Sequence, residues 1–515
     1  MQIHYRSITK TGTLMVSLLM LTMVAAQEPT VTRYSYENTS GGLGSNRVYA
    51  VAIQPETSGR VIWFGLRNYS DDSRGYEGGM SRLELDTWGN ETWTLFTPLN
   101  SGLPDDFIWD LEFDPDGNLW IGTADAGVAK LDATALGESP GTTGWTVYDQ
   151  STSGLGFDRV YDLAVAPDGT IWFGHGYGDF EADAAVSIFD GVSQWRTITE
   201  TNSPLIENTC YAIAMAPDGK VWLGHKWQNA FFKLDHNGTP FDDSDDIWTK
   251  YTTTFELINA GSAVAHPNGD AWFGHPGPGG GAHTGGGVSR YVAAEDTVIR
   301  YEPLNTTDIV IRVRAAVIDS YGIVWLGDKG GSEYGSTGLW KFDPETMTEP
   351  EHVYRQLDDE GSVNDDDNFV NQFAIDEENE VIWLATDFYS EDVETFGVVK
   401  IEGLWEPKDT STSVVDDRPG IPAGFTLAQN YPNPFNPATL IEYSLDRARH
   451  IELAVYDITG KLVRTLDRGY RNAGRYAVTW DGRADNGLAV SSGLYFYRLA
   501  GEGGRQLLRK AVYLK

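Results

Sequence analysis

APDGTIWFGH (166–175) and APDGKVWLGH (216–225) are near-copies within one chain. Five more relatives surround them: QPETSGRVIWFGL (54–66), DPDGNLWIGT (114–123), HPNGDAWFGH (266–275), DSYGIVWLGD (319–328) and DEENEVIWLAT (376–386). Their tryptophans, Trp63, Trp120, Trp172, Trp222, Trp272, Trp325 and Trp383, recur every 50–58 residues, which makes seven units. In the third unit, RVYDLAVA (159–166) alternates apolar and polar residues as a strand does. PDG (167–169) is turn chemistry: Pro presets φ, Asp bonds nearby backbone and Gly accepts positive φ. TIWFGH, AVSIFD (185–190) and WRTITE (195–200) supply three further strands. Four strands in about fifty residues, repeated, is the signature of an all-β propeller rather than an open solenoid.

The count of strands argues for closure. Seven third strands can be read (80–86 to 397–402), but only six fourth strands follow them. The seventh has its match at the other end, in VTRYSYENTSGGL (31–43). Strand 31–37 is therefore expected beside 397–402, closing a seven-bladed propeller over 27–404 and removing the open sheet edge.

The repeat resembles that of two-component-regulator propellers, with DPDGNLWIGTADAGVAKLD (114–132) as the nearest copy of the motif. The resemblance implies the fold. Signalling does not carry over, because the sequence shows no kinase part. Streptogramin-lyase-like propellers resemble it too and imply a His/Glu/metal site. Their phrase ends in Thr-Glu where this one ends in Gly-His, so no catalytic pair is assigned.

Residues 1–26 read as a signal peptide: Arg6 and Lys10, the apolar run LMVSLLMLTMV, then small residues before Gln27. Residues 405–424 are polar and Pro-containing and read as a linker. Residues 425–515 read as a small immunoglobulin-like β-sandwich. There NYPNPFNPATLIEYSL, VYDITGKLV and GLYFYRL resemble the C-terminal sorting domain of type IX secretion and the Ig-like domain of hook-capping proteins. That resemblance implies the type IX secretion machinery as partner and a secreted or cell-surface location. After signal cleavage, no transmembrane segment is expected.

The chain carries a net charge of −36. The last 91 residues hold +5 and the first 26 hold +2, leaving −43 on residues 27–424. Such a surface repels nucleic acid. The single cysteine, Cys210 in CYAIAMA, permits no internal disulfide and reads as a small buried hydrophobe.

In a four-stranded blade, the loops joining strands 2 and 3 share a face with the blade-to-blade connections. Here the 1–2 turns are alike and the 2–3 loops differ, so binding is expected at the 2–3 loop face. The candidate ligand-binding residues are His175, Tyr177, His225, Trp227, His275 and Tyr334. Three histidines at one repeat position raise the question of a shared metal. Strand spacing puts their Cα atoms about 11 Å apart. Three imidazoles can scarcely converge on one Zn²⁺ across that gap. The run DHNGTPFDDSDD (235–246) spaces oxygens as calcium loops do but lacks the terminal Glu, so a solvated turn is preferred to a structural Ca²⁺ site. No other cofactor is implied. The sequence thus suggests a propeller that binds an extracellular glycan or peptide. A lyase- or hydrolase-like enzyme at the same face is the alternative, and the binder is favoured.

Overall fold

The structure, a computed structural model, describes residues 29–404 and 426–513 except for internal segments. The longer of these are 69–75, 177–182, 226–229, 253–259, 277–285, 302–312, 329–337, 356–368, 388–396, 431–434, 457–460, 485–489 and 502–505. The signal-peptide and linker readings lie outside the described residues.

Seven four-stranded antiparallel sheets account for residues 30–402. Six are built from consecutive strands, within 48–96, 108–148, 160–198, 212–252, 262–301 and 313–355 (blades 1–6). Blade 7 takes Phe369–Asp376, Val381–Asp387 and Val398–Glu402, and its fourth strand is Thr30–Tyr34. That strand pairs in register from Thr30↔Glu402 to Tyr34↔Val398. The first strand of every blade packs beside the first strand of the next, and those of blades 7 and 1 also meet. The sheets therefore form a closed ring around a central channel. Among the described residues the helical content is one 3₁₀ turn, Ala133–Ala135, and no helix is long and apolar enough to cross a membrane.

The repeated phrase has a physical meaning at each position. The turn glycines Gly117, Gly169, Gly219, Gly269 and Gly322 all adopt φ of 81–94°, a region that β-carbon sterics make costly for other residues. The seven tryptophans lie on second strands and are almost wholly buried. On the third strand, six face a basic residue: Arg82, Lys130, Lys233, Arg290, Lys341 or Lys400. Blade 3 has Ile188 instead. Several of these cations lie over the indole, such as Arg290 at 5.1 Å and Lys233 at 5.3 Å, a favourable contact with the ring quadrupole.

In six blades a glycine stands two residues beyond the tryptophan, where the next blade approaches; blade 7 has Ala385 there. A β-carbon on Gly224 would stand 2.5 Å from the Ala260 Cβ, and one on Gly274 2.6 Å from Val313. Blade-to-blade packing therefore selects Gly here.

The C-terminal unit has two sheets. One holds Thr426–Leu427, Thr439–Leu445 and Gly474–Trp480; the other holds Arg449–Tyr456, Leu462–Arg471, Gly493–Gly501 and Gln506–Tyr513. Ile441, Leu453, Val455, Trp480, Tyr497 and Leu499 fill one core between them, as a β-sandwich requires.

Candidate functional site

The three histidines are placed first. His175, His225 and His275 stand at the ends of the second strands of blades 3–5 and are at most 1% exposed. His175 Nε2 lies 2.7 Å from Ser187 Oγ, and its Nδ1 lies 3.1 Å from the Arg159 carbonyl. His275 Nε2 lies 2.8 Å from Ser289 Oγ. In blade 4 the residue in the serine position is Phe232. Its ring centroid is 5.1 Å from that of His225, and among the described residues neither His225 nitrogen has a hydrogen-bond partner. Burial pulls the pKa of His175 and His225 down to about 4, with Lys250 adding to the effect at His225. The same register position is filled by Leu66, Thr123, Asp328 and Thr386 in the other blades, all fully buried. All three histidines, expected from the sequence to line a ligand surface, are buried here, because the next blade covers the end of the strand. The Cys210 N–H donates to the His175 carbonyl at 2.7 Å and the Ala260 N–H to that of His225 at 3.1 Å. Tyr177, Trp227 and Tyr334 lie outside the described residues.

A second repeated position, one strand further in, does reach the channel. The first strands of blades 1, 2, 3, 6 and 7 each carry a bulge near their start. The extra residues are Tyr49, Trp109, Tyr161, Arg314 and Asn371. A bulge leaves one residue outside the ladder and re-aims it, and all five line a central cavity of about 710 Å³. Blades 4 and 5 place Tyr211 and Gly261 at the equivalent position, just before their first strands.

These residues make an aromatic arc. Phe107 and Trp109 have centroids 4.2 Å apart, Trp109 and Tyr161 4.7 Å, and Tyr161 and Tyr211 4.4 Å with rings nearly parallel. Tyr49 meets Trp109 edge-on at 5.2 Å. The Arg314 guanidinium lies 5.1 Å above the Tyr49 ring. Tyr49 is fixed at its polar end: its hydroxyl donates to Asp387 at 2.5 Å and accepts from Arg67 at 2.8 Å.

Below the arc lies a polar belt. The Leu163 N–H donates to Asp110 Oδ2 at 2.9 Å, and the Ile213 N–H to Asp162 Oδ2 at 2.6 Å. The Val51 N–H donates to Gln372 Oε1 at 2.6 Å, while Gln372 Nε2 donates to Asp110 Oδ1 at 2.7 Å. In blades 2, 3 and 7 a side chain thus satisfies an inward-facing N–H of the next blade, as buried backbone groups demand. Burial raises the pKa of both aspartic acids, and the Asp110 charge raises Asp162 further.

Glu112 lies two residues beyond Asp110, opposite Trp120. In the other blades the residue opposite the tryptophan is Ala52, Ala164, Ala214, Val264, Val317 or Ala374. The Glu112 side chain opens onto the channel, where water reaches it. It makes no hydrogen bond or ion pair among the described residues. Desolvation by the surrounding walls, then the Asp110 charge, push its pKa up to about 8. No three His, Cys, Asp or Glu side chains among the described residues converge as a metal site would need.

Sequence reasoning did not identify the arc or the belt. Their trace is RVYA (47–50), IWDL (108–111), RVYD (159–162) and CYAI (210–213): an aromatic at one register position in four successive blades.

No curated protein matches the chain. Among solved structures it is similar to PorZ of Porphyromonas gingivalis, an essential surface component of the type IX secretion system. The identity is 16% and the TM-score 0.47, over 92% of this chain and 60% of that one. It is similar to the extracellular domain of a putative hybrid two component system of B. thetaiotaomicron, at 14% identity and TM-score 0.48, over 94% and 59%. It is also similar to virginiamycin B lyase of Staphylococcus aureus, at 13% identity and TM-score 0.48, over 73% and 99%. The chain thus spans about three fifths of the length of the first two. Its own sequence matches the two component regulator propeller family over residues 102–125, which include Trp109, Asp110 and Glu112, and the FlgD Ig-like domain over residues 438–504.

Proposed function

We propose that the propeller is an extracellular binding module whose ligand, a glycan or peptide, enters at the mouth of the central channel. The observation that carries this reading is the set of bulges. Five blades break their ladder at the same position, and each break puts a side chain on the cavity. Aromatic walls with a few fixed polar groups are the usual make-up of a ligand pocket. The mouth opens on the same face as the 2–3 loops, so Tyr177, Trp227 and Tyr334 belong to the same proposed surface. The Ig-like unit serves export to the outside through type IX secretion, as the sorting-domain resemblance of residues 425–515 implies.

An enzymatic reading is weaker. A general base must be free to take a proton from substrate. Asp110 and Asp162 are instead occupied by backbone N–H groups and by each other, which leaves Glu112 without a partner acid. The test is retention of the full chain on glycan and peptide arrays, beside Trp109→Ala and Tyr161→Ala. The reading expects retained ligands that both variants lose. Equal retention by the variants overturns it.

A further inference from the structure

We propose, resting on the channel-mouth reading, that the channel receives the C-terminal carboxylate of a peptide, held by inward backbone N–H groups of blades 5–7. In an antiparallel pair, alternate residues turn their N–H away from the partner strand. Turn bonds set that phase here: the His266 N–H donates to the Asp270 carbonyl, and the Asp319 N–H to the Ile323 carbonyl. Counting back along the two first strands, Ala263 and Ala316 turn their N–H groups to the channel. Phe373 stands in the same register, opposite the residue after its tryptophan. Val51, Leu111, Leu163 and Ile213 hold this rank in the other blades.

Four of these seven N–H groups are filled from within. Val51 donates to Gln372 and Ile213 to Asp162. One carboxyl group serves two blades: Asp110 Oδ1 accepts from Leu111 at 2.9 Å and its Oδ2 from Leu163 at 2.9 Å. Ala263, Ala316 and Phe373 line the cavity, and no side chain among the described residues accepts from them. Side-chain length is the reason. The residues that stand where Asp110 does are Ala212, Ser262 and Ala315. Ser262 Oγ reaches no partner among the described residues.

Asp110 is the molecule's own template for the ligand. It shows that one carboxyl group spans the N–H groups of two adjacent blades at this rank. The first strands of blades 5, 6 and 7 pack side by side as those of blades 2 and 3 do. A carboxylate from outside therefore fits between Ala263 and Ala316, or between Ala316 and Phe373. Hydrogen bonds to an ionised acceptor are the strong ones. Arg314, on the strand of Ala316, is the one cation lining the cavity among the described residues. On the far wall, burial raises the pKa of Asp162 and Glu112, which lessens their repulsion of an anion. The rank lies two residues, about 7 Å, below the aromatic arc. The anion must then stand at the end of a slender chain, as a peptide C-terminus does, with its preceding side chains at Trp109 and Tyr161. Backbone N–H groups are a known means of capturing a terminal carboxylate.

The experiment is isothermal titration calorimetry of the full chain at pH 7 with N-acetyl-Ala-Tyr-Ala as the free acid, the same peptide as its C-terminal amide, and sodium glucuronate. The free acid is expected to bind about tenfold or more tighter than the amide, as for hydrogen bonds to a charged group. Ser262→Asp copies Asp110 at its register position and fills the Ala263 and Ala316 N–H groups from within. It is expected to lose about tenfold or more in affinity for the free acid and to leave the amide unchanged. Ala315→Asp, one blade on, fills the next pair and serves where the first variant does not fold. Ser262→Ala leaves the N–H groups open and should keep the free acid, which separates filling of the donors from loss of the hydroxyl. Equal affinity for acid and amide, no binding of the acid, or unchanged affinity in a folded Asp variant overturns the inference. Tighter binding of glucuronate than of the peptide acid also overturns it and assigns the anion to a sugar. If the peptides fail while array ligands are retained and then lost in Trp109→Ala, only the carboxylate inference falls. If Trp109→Ala loses nothing, the channel-mouth reading falls as well.

Discussion

Two repeated positions lie one strand apart on the same face of the propeller and have opposite fates. The residue three beyond the tryptophan, at the end of the second strand, is His in three blades, and the structure buries it. The bulged residue of the first strand is aromatic in three blades, and the structure brings it to the channel. The difference comes from what the next blade does. It lays the start of its first strand over the end of the second strand, as the hydrogen bond from Cys210 to His175 shows. The bulge, by contrast, sits at the inner rim, where no further strand follows. A chemically conspicuous residue at a repeated position can thus belong to the scaffold, while a plainer one belongs to the site.

The comparison is broken most severely at the glycine beside it. Gly224→Val would force a side chain into Ala260 and should lower the melting temperature of the propeller more than a substitution at any of the histidines or in the channel. Overpacking costs about 1–3 kcal/mol or more, and here backbone must also move. A melting temperature equal to wild type would contradict the account of blade packing.

Next come the histidines, which should affect stability and leave binding alone. His275→Leu leaves Ser289 without its ring partner and should destabilise by about 1–3 kcal/mol. His225→Leu removes two unpartnered nitrogens and should be neutral or stabilising. Melting curves of the two variants test this directly; an equal loss in both would show that the serine pairing is not what separates them.

The pH response sharpens the same contrast. His175 and His225 have folded pKa values of about 4, below the usual value near 6.5. The unfolded chain therefore binds more protons between those limits, and stability falls as pH drops from about 6.5 to 4. Glu112 has the opposite sign. Its folded pKa of about 8 lies above the ordinary 4.5, so its contribution to stability declines as pH rises from about 4.5 to 8. His225→Leu should flatten the acid limb of a plot of melting temperature against pH, and Glu112→Gln the alkaline limb. A variant that shifts both limbs equally would contradict the assignment. The effect at Glu112 should be the smallest of these, because channel water screens it.

The blades were legible in the sequence because their determinants are local: a turn glycine, a tryptophan, and alternation over five or six residues. The missing fourth strand was legible as well, since counting strands needs no contacts. The bulges were not. One extra residue at Tyr49 or Trp109 leaves the alternation of the strand intact to the eye, yet it changes which side chain meets the channel. Nor was the burial of His175, which depends on Cys210, 35 positions along the chain in the next blade. The Ser187 and Phe232 contrast could have been read from AVSIFD beside AFFKLD, once third strands were aligned against second strands.

The most direct measurement is array retention of the full chain beside two variants, Trp109→Ala at the channel mouth and His275→Leu within a blade. The account predicts that Trp109→Ala loses the retained ligand, by about tenfold or more in affinity as for a central aromatic contact. His275→Leu should keep the ligand while melting at a lower temperature. Loss of retention in His275→Leu with Trp109→Ala unaffected would contradict it and return the site to the histidine rank.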